Sequence, residues 1–293
     1  MRRVLLWTLG LNLAVAAAKV AYGYWANALS VRADGFHSLT DAGNNLVGLI
    51  AVSAASRPAD QGHPYGHQKF ELIAATLVGV SLLTMAYDVV RSAQGRLLSA
   101  AGHLPHIGPG AFAVLSVTLA VNLCVAHYER RQGERLASSF LLSDALHTRS
   151  DVLVTCGVLV ATVFVRLGYP ILDLVAALAV AVFIGWAGIL VLRRNMGYLA
   201  DSAQLDRDQI ESVVTRIPGV ASCHKIRTRG SPGAIFVDLH IQIAPHLDVV
   251  RAHRVTHAVI DAIKESLEGV ADVLVHTEPA RPDQPYVPLA DED

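Results

Sequence analysis

The chain has 293 residues, of which 53% are hydrophobic and 17% are charged, and its formal net charge at pH 7 is −1. Soluble domains carry about 25% charged residues, so this composition favours a protein with membrane-spanning segments. The near-neutral charge and the lack of a basic stripe argue against a nucleic-acid partner. The three cysteines, at 124, 156 and 223, have no Cys-x-x-Cys spacing, so the sequence predicts neither a disulfide framework nor a zinc ribbon.

Six apolar segments are each long enough to cross a bilayer as a helix, which takes about 20 residues. They cover residues 5–26, 30–56, 70–93, 108–128, 138–166 and 170–192. The second and fifth segments carry several polar residues near their middles, whereas the others are plainly apolar or nearly so. The sequence therefore predicts a six-helix transmembrane domain over residues 1–199.

Basic residues are unevenly distributed over the loops between these segments. An even number of spans puts both termini on one side, and that side carries Arg2, Arg3, Arg57, Lys69, Arg130, Arg131, Arg135, Arg193 and Arg194. The opposite side carries Arg32, Arg91, Arg96 and Arg166. The positive-inside rule therefore predicts a multi-pass protein of the cytoplasmic (inner) membrane with both termini in the cytoplasm.

Ionisable side chains within a membrane span cost about 2.5–3.5 kcal/mol each on insertion scales, so a group of them indicates a functional site. His37 and Asp41 lie four residues apart on one face of the second helix. His147 and Asp151 repeat this spacing in the fifth. If the two helices pack side by side, two imidazoles and two carboxylates converge, a ligand set that suits tetrahedral Zn²⁺. The alternative is that these groups pair with one another as polar contacts between helices.

Two further aspartates, Asp34 and Asp144, each lie three residues before one of these histidines. Each could belong to the surroundings of the site, cap a helix or line an entry path. We do not count them as ligands.

The loop after the second segment contains an Asp-x-x-His-x-x-x-His motif, formed by Asp60, His63 and His67. This spacing in a short loop can fold around a metal ion, and the alternative is a solvated loop with unrelated histidines. Lys69 and Glu71, which follow at the start of the third segment, are better suited to ion pairs than to metal binding.

Residues 200–280 have the alternating patterns of a soluble domain. The predicted elements are a helix over 206–216, strands over 220–229 and 234–244, a helix over 248–267 and a strand over 270–277. A five-residue turn, 229–233, joins the first two strands. The order αββαβ predicts a small α+β domain, and residues 281–293, rich in proline and acidic side chains, predict a flexible tail.

Metal-binding side chains are concentrated in this second domain. They are His224, His240, His253, His276 and Glu278. A single histidine is usually a surface residue, but five such groups in a small domain favour a metal site. The sequence alone does not show that they converge.

These motifs resemble the cation diffusion facilitator family over nearly the whole chain. The resemblance rests on ADGFHSLTDAGNN in the second segment, HPYGHQKFE after it, DALHTRSD in the fifth segment and the αββαβ domain. It implies a homodimeric exporter with six spans per subunit and a cytoplasmic metallochaperone-like domain that binds metal and regulates transport.

The resemblance also implies particular site residues. The transport site maps onto His37, Asp41, His147 and Asp151, and the loop site onto Asp60, His63 and His67. A binuclear site near the dimer interface maps onto His224, His240, His253, His276 and Glu278. An ion pair at the dimer hinge maps onto Lys69 and Asp201. Family members carry aspartate where this chain has Glu278, and histidine at position 37 resembles the zinc-preferring members.

These features predict secondary active efflux of a divalent metal, with Zn²⁺ as the leading substrate, by proton antiport with alternating access. Protons and metal compete for the same imidazole lone pairs, because a histidine binds metal only when neutral. No Gly-x-x-x-x-Gly-Lys-Ser/Thr motif for ATP is present.

Three alternatives stay open from the sequence. The main substrate could be Cd²⁺, Fe²⁺, Co²⁺ or Mn²⁺, because affinity order alone does not set selectivity. The protein could be a membrane metalloenzyme, but it has no His-Glu-x-x-His motif and no evident nucleophile or general base, so we expect no enzymatic activity. It could also be a metal sensor that does not transport, although a sensor would gain nothing from ligands at bilayer depth.

Overall fold

A computed structural model of the chain describes the backbone of residues 2–25, 29–98, 109–166, 170–281, 285, 288 and 289. Within the helices it leaves out several side chains, including those of residues 29–37, 40, 41, 158–166 and 170–174. Most of the predicted tail therefore lies outside the described residues. The chain divides into two units, Met1–Met196 and Gly197–Asp293.

The first unit consists of six long helices, as the apolar segments predicted. They are α1 (Arg2–Trp25), α2 (Leu29–Ala55), α3 (Lys69–Leu98), α4 (Pro109–Arg135), α5 (Ser139–Arg166) and α6 (Pro170–Leu199). Three helices extend past their predicted ends: α3 ends at Leu98 rather than at residue 93, α4 at Arg135 rather than at residue 128, and α6 at Leu199 rather than at residue 192. Hydropathy marks only the part of a helix that suits lipid, whereas the backbone hydrogen bonds continue into the polar flanks.

Among the described residues, three helical stretches are long and apolar enough by composition to cross a membrane. They are Arg3–Tyr22, Lys69–Gly95 and Leu178–Leu199. The described part of α2 offers a shorter apolar stretch, Ala42–Ala55, which begins after the predicted ligands.

The start of α5 is held by a neighbouring helix. Glu71, in the first turn of α3, accepts hydrogen bonds from Ser138 Oγ at 2.5 Å and from the backbone N–H of Phe140 at 3.1 Å. Ser138 Oγ in turn accepts from the N–H of Leu141 at 3.2 Å. A carboxylate is favourable here because the first N–H groups of a helix have no partner within the helix. Glu71 therefore caps α5, a role that the sequence did not predict.

The second unit has the predicted αββαβ order. Its elements are α7 (Arg207–Val214), β1 (Val220–Ser231), β2 (Ala234–Ile243), α8 (Val249–Ser266) and β3 (Val270–Pro279). Asp206 and Asp248 cap the two helices, each accepting a hydrogen bond from a backbone N–H of the first turn.

The three strands form one sheet in the order β1-β2-β3. β1 and β2 are antiparallel, whereas β2 and β3 are parallel and are connected through α8. β1 extends to Ser231 rather than to residue 229, because the turn consists of Pro232 and Gly233 alone. Gly233 has a φ of 99°, which glycine adopts without steric strain.

One face of this sheet is buried and the other carries polar residues. On β2, Val237, Leu239 and Ile241 are at most 1% exposed and pack with the apolar faces of α7 and α8 in a single core. Side chains alternate along a strand, so His240 lies on the opposite face of the sheet from that core.

Candidate metal centres

Three histidines lie side by side across the three strands of the sheet. His224 on β1 is paired in register with His240 on β2, and His240 is paired with His276 on β3. The ring centroids are 5.4 Å apart for the first pair and 4.5 Å apart for the second. Because residues directly opposite on neighbouring strands lie close together, this register sets three imidazoles in a row on the face away from the core.

Glu278 lies two residues after His276 and connects the row. Its Oε1 is 2.7 Å from Nδ1 of His240, and its Oε2 is 3.2 Å from Nε2 of His224. The hydrogen bond with His240 is the main cause that holds the pKa of Glu278 below its usual value, with the nearby imidazoles acting in the same direction. The carboxylate therefore stays ionised, as a metal ligand must be.

A β-bulge follows His224 directly. The pairing of β1 with β2 shifts between His224 and Arg227, and Lys225 has a φ of 51° within this shift. A bulge redirects the side chains beside it and is frequent next to functional sites. Here it lies beside the row of histidines.

The structure brings together three of the five residues predicted for this site. Ligand atoms of His224, His240 and Glu278 all lie within 4.8 Å of one another. His276 is next to them, with its Nε2 3.9 Å from Glu278 Oε1, and its side chain is exposed. His253 is not brought to the cluster within this chain: it lies on α8, where its ring contacts that of His257 with centroids 4.4 Å apart.

The loop motif between α2 and α3 folds into a compact cluster. Ligand atoms of Asp60, His63 and His67 also lie within 4.8 Å of one another. Asp60 Oδ1 accepts backbone hydrogen bonds from His63 at 2.7 Å and from Gly62 at 2.9 Å, which fixes the carboxylate. The bond from His63 is the main cause that lowers the pKa of Asp60, so this carboxylate is ionised at neutral pH.

His67 is the buried member of this loop cluster, with 6% of its surface exposed. Its Nδ1 is 3.2 Å from the carbonyl oxygen of Pro58, and its Nε2 is 3.3 Å from Asp60 Oδ2. The ring also stacks on Phe70, with centroids 5.9 Å apart. A backbone contact on one ring nitrogen fixes the orientation of the imidazole and directs the other nitrogen to the cluster.

The predicted transport ligands lie on α2 and α5. His147 is 4% exposed and Asp151 is half-buried. The side chains of His37 and Asp41 lie outside the described residues, although their backbone belongs to α2. Their convergence with the ligands of α5 therefore stays a prediction.

Helices α2 and α5 contact each other next to these ligands. Asn45 donates its side-chain amide to both carboxylate oxygens of Asp144, at 3.1 and 2.9 Å, in the amide orientation that satisfies its neighbours. Further along α2, Gly48 lies so close to the Phe140 ring that a Cβ there would be 1.9 Å from Cζ. The two helices run antiparallel at this point, because a step forward along α2 is matched by a step back along α5.

Polar residues that the sequence did not single out also lie in this region. Lys19 of α1 is 4% exposed and donates to Ser38 Oγ at 3.0 Å, next to His37 in the chain. Asn45 is 2% exposed. A polar residue inside an apolar segment is the signal that could have found both positions.

Lys69 and Asp201 belong to different units of the structure. Lys69 is the first residue of α3, and Asp201 follows α6 with a φ of 56°. The ion pair between them therefore stays a prediction.

A unit of six long helices followed by a small α+β unit, with a cluster of candidate metal ligands in each, is typical of a membrane transporter of metal cations. Comparison with known families agrees with this class. The cation efflux transmembrane domain matches residues 5–200, and the cation efflux protein cytoplasmic domain matches residues 203–280. The chain therefore belongs to the cation diffusion facilitator family, whose members export divalent metals and are transporters rather than enzymes.

Several known proteins are similar over most of the chain. An uncharacterized transporter of Methanocaldococcus jannaschii is 29% identical over 269 residues, which cover 91% of this chain and 94% of that protein. The cation-efflux pump FieF of Shigella boydii is 30% identical over 273 residues, which cover 89% of this chain and 87% of that protein. Metal tolerance protein C1 of Arabidopsis thaliana is 29% identical over 285 residues, covering 92% of this chain and 60% of that protein.

Among solved structures, the metal-bound C-terminal domain of the CzcD transporter from Thermotoga maritima is 25% identical. The match covers 26% of this chain and 94% of that domain, with a TM-score of 0.24.

Proposed function

We propose that the protein exports a divalent metal from the cytoplasm across the cytoplasmic membrane in exchange for protons, with Zn²⁺ as its main substrate. The observation that carries the proposal is the antiparallel contact between α2 and α5. Asn45 bonds to Asp144 and Gly48 packs on Phe140, directly beside the helical turns that carry the predicted ligands.

The spacing of that contact extends to the ligands themselves. On α2, four-residue steps back from Asn45 reach Asp41 and then His37. On α5, steps of three and then four residues forward from the contact reach His147 and then Asp151. Residues three or four apart share a helix face, so we expect Asp41 to lie opposite His147 and His37 opposite Asp151. Two imidazoles and two carboxylates would then surround one dication.

Exchange follows from the chemistry of these ligands. Neutral imidazoles and ionised carboxylates bind the metal on the cytoplasmic side. Where the other side is more acidic, protonation of imidazoles, whose ordinary pKa is about 6.5, competes with the metal and favours its release. A tetrahedral set of two nitrogens and two oxygens favours Zn²⁺, with Cd²⁺, Fe²⁺, Co²⁺ and Mn²⁺ as the competitors to be tested.

The two remaining clusters are proposed as accessory metal sites. The loop cluster would bind one ion close to the start of α3. The second domain, residues 200–280, would bind metal at its row of histidines and regulate a homodimer, with residues 281–293 as a tail and both termini in the cytoplasm. Within one chain His253 lies on α8, away from the row, so its proposed ligand role requires a site shared between the two subunits.

Reconstitution into proteoliposomes tests this function. Inward-facing metal and pH dyes should report Zn²⁺ flux coupled to an opposite proton flux, and the competing metals should be compared at equal concentration. His37→Ala, His147→Ala and Asp151→Ala should abolish flux. The exposed residues His127 and Asp88 on neighbouring helices provide matched alanine controls that should retain it. Wild-type vesicles that move no metal, or move it without protons, would contradict the proposal.

A further inference from the structure

Two histidines lie next to each other on the long helix of the α+β unit. His253 and His257 are four residues apart in α8, and their rings meet edge to face with centroids 4.4 Å apart. Both side chains are exposed. The sequence analysis assigned His253 to the metal site of the second domain, whereas His257 was not among the predicted site residues.

The helix turns this pair of histidines away from the core of the domain. The core face of α8 consists of Val255, Val259 and Ile263, which are at most 2% exposed. Successive residues advance by about 100° around an α-helix, so positions 253 and 257 lie on the outer side. Asp261 is also exposed and follows His257 by four residues, so it continues the same face with an acidic group.

Within one chain the pair and the row of histidines lie on opposite sides of the sheet. The buried residues of α8 pack with Val237, Leu239 and Ile241 of β2 in one core. His240, at the centre of the row, lies on the other face of the same strand. The core and the sheet therefore separate the two groups of histidines, and the pair forms a group of its own.

Two imidazoles one helical turn apart can chelate a metal ion. Residues at i and i+4 share a helix face, and two histidines at this spacing bind zinc together on the helix of many metalloproteases. Imidazole nitrogen suits Zn²⁺, Cu²⁺ and Ni²⁺. In the part of the chain that the structure describes, the pair does not belong to a cluster of three ligands within 4.8 Å. Two imidazoles leave coordination positions open for water or for a further ligand.

We propose that His253 and His257 chelate one divalent ion, of the kind that imidazole prefers, on the outer face of α8 in each subunit. The proposal makes His257 a metal ligand and does not depend on transport. It also goes beyond the shared site of the proposed function, because both imidazoles come from one chain. A residue of a partner subunit can fill an open position on the ion, but the pair does not require it.

The amount of bound Zn²⁺ tests the pair directly. Purified full-length protein without a histidine tag is dialysed against Zn²⁺ in detergent, and the zinc per chain is measured over a range of concentrations. Where the site fills in the wild type, His257→Gln should hold about one Zn²⁺ fewer per chain, because loss of one of two ligands should weaken binding at least about tenfold. His253→Gln should lose the same ion. Both side chains are exposed, so neither substitution should disturb folding.

An exchange of two neighbouring residues provides a control of identical composition. His257→Ala combined with Ala258→His keeps the number of histidines but changes their spacing to five residues, which puts the imidazoles on different faces of α8. Ala258 is exposed, so a larger side chain has room there. The exchanged protein should lack the ion that His257→Gln lacks. His246→Gln, which removes another exposed histidine of the same unit, should bind as much Zn²⁺ as the wild type.

Pulsed electron paramagnetic resonance with Cu²⁺ in place of Zn²⁺ reports the number of imidazoles on each ion. The signal that His257→Gln loses should be that of an ion with at least two imidazoles. Wild-type zinc content in His257→Gln or in the exchanged protein, or a lost Cu²⁺ signal with a single imidazole, would overturn the pair. Zinc that is lost with His253→Gln but kept with His257→Gln would refute the pair and support the shared site. Loss of the ion with both substitutions, in a protein that moves no metal in proteoliposomes, would support the pair and refute the proposed transport.

Discussion

Gly48 provides a test of the α2–α5 contact on which the transport site depends. A Cβ at this position would lie 1.9, 2.2 and 2.6 Å from three atoms of the Phe140 ring. Carbon atoms in contact are about 3.5–4.0 Å apart, so Gly48→Ala should force the helices about 1.5 Å apart or drive Phe140 from its place. Phe140 is 0% exposed, and overpacking of a core costs about 1–3 kcal/mol.

The displacement should also disrupt metal binding, because ligand distances must stay within about 0.2 Å of their ideal values. We expect Gly48→Ala to lower the thermal unfolding temperature and to lose most Zn²⁺ flux in proteoliposomes. Gly43→Ala on the same helix is the matched control, since a Cβ there meets nothing within 4 Å. Phe140→Leu should partly rescue Gly48→Ala, which a double-mutant cycle would measure. Gly48→Ala protein with the flux and stability of Gly43→Ala would refute the reasoning.

Two further predictions concern carboxylates outside the transport site. Glu71→Ala removes both hydrogen bonds at the start of α5 and should lower the free energy of unfolding by about 1–3 kcal/mol, whereas Glu71→Gln keeps an acceptor and should cost less; equal unfolding temperatures for all three proteins would contradict the cap. For Glu278, whose pKa is lowered in the folded state, the contribution to stability is present above its unfolded pKa of about 4.5 and is lost as the pH falls through the folded pKa. Metal-free wild-type protein should therefore lose stability from about pH 5 downwards more steeply than Glu278→Gln, and thermal unfolding curves of equal pH dependence would disprove this.

The fold could be predicted well because it depends on patterns that are local in the sequence. Hydropathy locates the six helices, and alternating strand patterns locate the elements of the second domain. Helix ends were less accurate, since α4 continues past the apolar segment that ends at residue 128. Glu129, which is fully buried, is the first residue of this extension and was not among the predicted site residues.

The metal clusters could be predicted only as sets of residues. The row of His224, His240 and His276 depends on strand register, and a shift of one residue would turn a strand's side chains to the other face. Nothing local in the sequence specifies that register or the bulge at Lys225. For the same reason the sequence could not show that His253, on α8, lies apart from the row.

The first residues of α5 connect the parts of the membrane unit. Glu71 of α3 caps the helix, Gly48 of α2 packs on Phe140, and a Cβ at Gly133 of α4 would lie 3.1 Å from Leu142. Small residues at helix contacts allow the backbones to approach closely, so three helices are locked to one turn of α5. A movement that opens the site must therefore either carry these helices together or break a contact at this turn. Because Glu71 follows His67 by four residues, metal bound at the loop cluster would hold the start of α3 and, through its cap, the helix that carries His147 and Asp151.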